Sequence, residues 1–76
     1  MANDEQFEQA KQVFSALSDE DKDFIIDFLI SHNYSNMTTF SLTVATMNRN
    51  RFPLFRAFRI LKKLSTKELR MLHKYA

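Results

Sequence analysis

The sequence predicts an all-α protein: a compact orthogonal bundle of four to five short helices, at about 4–17, 19–32, 38–47, 53–63 and 66–75. Three observations predict it. Apolar residues recur at spacings of three and four along most of the chain, the period of an amphipathic helix. Serine-led capping signals stand before two of those stretches. Few of the stretches are long enough for a coiled-coil seam, so short helices must cross one another to share a core.

Each element follows from its residues. In the first helix Phe7, Ala10, Phe14 and Leu17 share one face, with Asn3 as N-cap and Asp4 and Glu5 in the first turn. Ser18 opens the second helix, capping Asp21 three residues on. Four acids crowd that positive helix end, and the run Phe24 to Ile30 leaves little polar surface. This is the expected central, most buried helix. His32 and Asn33 lie near its end, and in a chain without glycine Asn33 is the best left-handed cap. The stretch 33–36 reads as a loop.

The third helix is the weakest reading. Phe40, Val44 and Met47 keep helical spacing, with Leu42 and Ala45 on a neighbouring face. Thr38, Thr39, Thr43 and Thr46 would suit a strand as well, but a lone strand has nothing to pair with. Residues 48–51 form a turn, and Pro53 fits the first helical position, where its missing N–H costs nothing. Leu54, Phe58, Leu61 and Leu64 then make an apolar stripe. Ser65-Thr66-Lys67-Glu68 has full capping-box spacing and starts a last helix that buries Leu69, Leu72 and Tyr75 or Ala76.

Seventy-six residues make one domain, 1–76, near the lower limit for independent folding. A core of this size supplies roughly 3–5 kcal/mol net. Eight phenylalanines can each add about 1.5–3 kcal/mol when buried. Dimerisation would be a natural supplement. No cysteine is present, so disulfides and thiolate metal sites are excluded. An acidic, polar start and the absence of any long apolar run lead to the expectation of a cytoplasmic protein without a membrane partner.

Charge is sorted by half. Residues 1–48 carry eight acids against Lys11 and Lys22, a balance of −6, whereas residues 49–76 carry nine bases against Glu68, a balance of +8. Three stripes share the spacing i, i+3, i+7: acidic Glu20, Asp23 and Asp27, basic Arg56, Arg59 and Lys63, and basic Lys67, Arg70 and Lys74. Helical geometry puts each trio on one face. The bland reading is three solvated helix faces. The sharper reading is a regulatory binding protein whose basic helices contact nucleic-acid phosphates, extended by Arg49 and Arg51. The alternative is a protein–protein module, an inhibitor, adaptor or homodimer, that uses the charge dipole. Glu20, Asp23, Asp27 and Phe52 would then be the contact residues. Phe52, between arginines and before the proline, is the aromatic expected to be exposed, while Phe55 and Phe58 are expected to pack inward. Whether the acidic trio faces the basic trios within one molecule decides how much of the dipole is external.

Other chemistry finds little footing. The third and fourth helices resemble the buried pattern of a helix-turn-helix at Val44, Ala45, Phe55 and Phe58. Arg49 stands where that motif favours glycine, however, and Pro53 shortens the reading helix. His32 and His73 do not form a helical ligand pair and suit helix C-termini instead. Asp19, Glu20, Asp21 and Asp23 lack the glycine of a calcium loop. No glycine-rich phosphate loop or cysteine nucleophile exists, and no base is evident for Ser15, Ser18 or Ser65. The sequence therefore implies no enzyme, cofactor, metal or small-molecule substrate.

Overall fold

The computed structural model describes residues 4–31, 36–47 and 52–75. They form five α-helices and, among the described residues, no strand: α1 (Asp4–Ser15), α2 (Asp19–Ser31), α3 (Met37–Val44), α4 (Phe52–Leu61) and α5 (Thr66–Lys74). The predicted order and the predicted segments hold, with C-terminal ends drawn in by one to three residues and with α3 and α4 starting one residue earlier than predicted. The expected caps at Asn3 and Asn33, together with His32 and the turn at 48–51, lie outside the described residues.

Helix starts are set by side chains. The backbone N–H of Asp21 donates to Ser18 Oγ at 3.2 Å, as expected for that start. Asn36, assigned to a loop by its sequence, is the N-cap of α3; its Oδ1 accepts from the Thr39 N–H at 2.8 Å. At α5 the capping box is complete: Glu68 N–H donates to Ser65 Oγ at 3.1 Å, and Ser65 N–H donates to Glu68 Oε1 at 2.9 Å. Burial of the Glu68 carboxylate, unusual for that group, follows from its place inside the capping box; Asp21, at the start of α2, is buried too.

Residues 38–44 are helical despite their threonines. The Thr43 hydroxyl donates back to the Thr39 carbonyl at 3.0 Å, which satisfies it inside the helix. The deciding force is burial of Phe40 and Val44. Phe40 stacks on Phe58 with centroids 4.2 Å apart and planes 19° apart, and it meets the edge of Phe28 at 5.2 Å. Phe24 and Phe55 complete the cluster at 5.9 and 6.0 Å. Such ring pairs contribute about 0.5–1.5 kcal/mol each beyond their area.

One core joins all five helices. Helix α1 packs most closely on α4, and α2 on α5. The expectation that the second helix is the most buried needs correction. Leu54, Ala57, Phe58 and Leu61 of α4 are all fully covered, whereas Phe24 and Ile30 of α2 are only half-buried. A helix apolar on most sides needs cover on each, and at Phe24 and Ile30, which pack at the border of the core, that cover is partial. A second correction concerns Tyr75, expected to be buried: it is 68% exposed. It follows the last turn of α5, so the helical period no longer directs it inward. Its ring instead meets the edge of Phe7 at 6.4 Å, and Lys11 Nζ lies 5.2 Å from its centroid. Ala76 lies outside the described residues.

Candidate docking surface on helix α4

Helix α4 begins at Phe52, one residue before the proline, and Pro53 sits in the first turn, where no intrahelical N–H bond is lost. Its inner face is the Leu54, Ala57, Phe58 and Leu61 stripe, so residues at other angles must face outward. Arg56 and Arg59 are exposed, and Phe52 is 82% exposed, as its sequence position suggested. Phe58 is fully buried and Phe55 half-buried, in keeping with a packing role.

Two grooves flank this outer face. One, about 570 Å³, runs between α3 and α4 and is lined by Met37, Ser41, Phe52, Phe55, Arg56 and Arg59. The other, about 350 Å³, lies between α1 and α4 and is lined by Gln12, Val13, Ala16, Phe52, Pro53 and Arg56. Phe52 and Arg56 belong to both, so they form a ridge with an apolar channel on either side. Elsewhere on α3, Leu42 is 69% exposed and lines neither groove.

The second basic stripe sits differently. Lys67, Arg70 and Lys74 all lie on α5 and are exposed. Arg70, His73 and Lys74 line a groove together with Asp23, Asp27, Ile26 and Ile30 of α2. His73 Nε2 approaches Asp23 Oδ1 to 2.8 Å, an ion pair when the imidazole is protonated and a hydrogen bond otherwise. The ring also lies edge-on to Phe14, with centroids 6.4 Å apart. His73 is thus held by a carboxylate of another helix, beyond any interaction with its own helix end. Two of the three acids in the acidic stripe therefore share a groove with two of the three cations of α5. Glu20, the third acid, is exposed in the first turn of α2.

The remaining predicted residues fall as follows. Lys63 is exposed but lies past α4, in a tight turn where its N–H donates to the Ile60 carbonyl at 3.3 Å. It does not extend the helical face of Arg56 and Arg59. Arg49 and Arg51 lie outside the described residues. Among the described residues, Arg56 and Arg59 make no ion pair; Lys11 pairs with Glu8 at 2.9 Å and Lys22 with Asp19 at 3.8 Å. Sequence reasoning missed Met37, Ser41, Val13 and Ala16 as groove walls, because a wall is created by the abutment of two helices. The phase of Leu42, between the inward positions of Phe40 and Val44, was a legible sign of exposure.

Among the described residues no group of three or more His, Asp or Glu is placed to hold a metal, and no helix is long and apolar enough to cross a membrane. No protein-family model, curated protein or solved structure matches this chain.

Proposed function

We propose that this chain is a non-catalytic regulatory binding protein that docks on an acidic protein surface through the outer face of α4. The observation that carries this reading is the Phe52–Arg56 ridge with an apolar groove on each side. Met37, Phe52, Phe55, Arg56 and Arg59 are of the residue types enriched where proteins meet, and they include the aromatic and arginine anchors that dominate binding energy. Lysine, depleted in such surfaces, is absent from both linings.

Nucleic-acid contact by the basic C-terminal helices is the second reading. An exposed aromatic beside arginines favours it, since single-strand binders stack bases on such rings. The juxtaposition of Asp23 and Asp27 with Arg70 and Lys74 weighs against it, because carboxylates in the same groove repel phosphates approaching α5.

The test places a photoreactive benzoyl-phenylalanine at position 52 in the cells of origin. Protein docking predicts adducts that resist nuclease and vanish when Arg56→Gln and Arg59→Gln are combined. Adducts that collapse on nuclease treatment would establish the nucleic-acid reading instead.

A further inference from the structure

We infer that the occupant of the α4 surface is an acidic, amphipathic peptide segment of another protein, which seats apolar anchors on both sides of the Phe52–Arg56 ridge and its carboxylates on Arg56 and Arg59. This inference rests on the protein-docking reading and specifies the partner's chemistry.

The grooves ask for side chains with volume. Met37, Phe52 and Phe55 wall one, and Val13, Ala16, Phe52 and Pro53 wall the other. Their volumes, about 570 and 350 Å³, lie within the size range of ligand clefts, but both are open grooves that suit side chains laid along the surface. A stacked base needs only the face of a ring, and it leaves channels on either side unfilled. Leucine, isoleucine or phenylalanine side chains would fill them. One segment that crosses the ridge can reach both, because the grooves share Phe52 and Arg56.

Arginine sets the charge of that segment. Arg56 stands at the boundary of both grooves and Arg59 lines the α3–α4 groove. The guanidinium fork binds a carboxylate through two parallel N–H···O bonds, and it is more weakly hydrated than an ammonium group. Beside apolar walls, such a pair loses less to water than it would on an open surface. A basic segment would meet like charge at the same two positions.

A second copy of this chain fits less well, although its first half is acidic. The exposed large hydrophobics among the described residues are Leu42, Phe52, Met71 and Tyr75, on or directly after α3, α4 and α5. The acidic helices α1 and α2 turn Val13, Phe14, Ile25, Ile26, Phe28 and Leu29 into their own core. Their other large apolar side chains, Phe7, Phe24 and Ile30, are half-buried against the core, so these helices offer carboxylates without a fully exposed anchor.

Panning a phage-displayed library of random peptides against the immobilised full chain tests the inference without knowledge of the natural partner. Selected peptides are expected to share acidic residues and two apolar anchors. Combining Arg56→Gln with Arg59→Gln should weaken them by about tenfold or more, as for anchor arginines. Phe52→Ser should do likewise, whereas Arg70→Gln with Lys74→Gln should leave them unchanged. Circular dichroism of each variant confirms that the helices persist. A basic consensus, or the absence of any consensus, overturns the inference. So do peptides lost only with the α5 variant, which would keep protein docking but move it elsewhere. Competition by a single-stranded oligonucleotide in place of peptide binding removes the protein-docking reading itself. Concentration-dependent self-association that is abolished by the Arg56 and Arg59 changes would replace the foreign segment with a second copy.

Discussion

His73 of α5 and Asp23 of α2 meet at 2.8 Å across fifty residues of sequence, which makes the acidic and basic halves of the chain neighbours along one helix pair. Asp27, one turn on from Asp23, lines the same groove as Arg70 and Lys74. The charge dipole of the sequence is therefore folded back on itself at α5, while the arginines of α4 face other neighbours.

Neutralising Asp23 and Asp27 to asparagine should expose the α5 cations. Affinity for a generic single-stranded oligonucleotide at low salt is expected to rise, with a steeper dependence on salt than wild type shows. Fluorescence anisotropy at two salt concentrations measures it. Unchanged affinity would mean that those carboxylates do not shield the stripe.

The His73–Asp23 contact itself is exposed on both sides and should contribute little to stability. A double-mutant cycle with His73→Ala and Asp23→Ala is expected to give a coupling of roughly 0–1 kcal/mol by urea denaturation.

Phe40 is where the fold is most vulnerable. It is fully buried, touches four other phenylalanine rings and attaches α3 to α4 through the stack on Phe58. Truncation of such a core phenylalanine to alanine costs about 3–5 kcal/mol. That matches the whole net stability of a core this size, roughly 3–5 kcal/mol, so Phe40→Ala should be largely unfolded at room temperature. Phe40→Leu should fold with a lowered melting temperature. Thermal melts followed by circular dichroism distinguish them.

Substitutions of exposed apolar side chains, on the proposed docking face at Phe52 and off it at Leu42, should behave in the opposite way. Leu42→Ser and Phe52→Ser alter exposed side chains and should change stability by no more than about 0.5 kcal/mol. Only Phe52→Ser is expected to alter peptide binding. A large loss of stability from either would show that these side chains serve the fold.

Lys11 gives a pH dependence of known sign. Its hydrogen bond to Glu8 raises its pKa above 10.5, helped by the charge of Glu8 and by Tyr75 and opposed by desolvation. A cation raised in the folded state contributes stability that is fully present below its unfolded pKa and is lost as pH climbs through the folded value. The stability of wild type should therefore fall toward that of Lys11→Met as pH rises beyond 10.5. Parallel melting curves at neutral and alkaline pH would show the gap closing.

Periodicity made each helix legible because a 3.6-residue repeat states which face is inward. Phe58 and Phe55 were correctly assigned to packing on that basis, and Phe52 to the surface. Ser18 and Ser65 marked helix starts because capping is local chemistry, readable within four residues. Adjacency was illegible for the complementary reason. An inward stripe names a face and not the neighbour that covers it, so nothing in residues 19–31 announced that α5 would lie beside them. The grooves share that origin: Met37 and Val13 become walls only once α3 and α1 abut α4. Tyr75 misled because the stripe of α5 was extended one residue past the helix that produces it. Asn36 was absorbed into a loop because its capping role depends on where α3 begins, and threonines blurred that boundary.

No described residue adopts a positive φ, and the chain holds no glycine. Helices α3 and α5 end in ordinary right-handed residues, Ala45 and Tyr75, whose N–H groups reach back to the last carbonyls. The starts of α2, α3 and α5, in contrast, are each pinned by one side-chain oxygen, of Ser18, Asn36 and Ser65. Tolerance to changes of length should be polarised accordingly. An extra residue after Lys62 can be absorbed by the tapering end of α4, but one between Ser65 and Glu68 breaks both bonds of the capping box. In a lineage of such chains, insertions would accumulate behind helices and be purged in front of them.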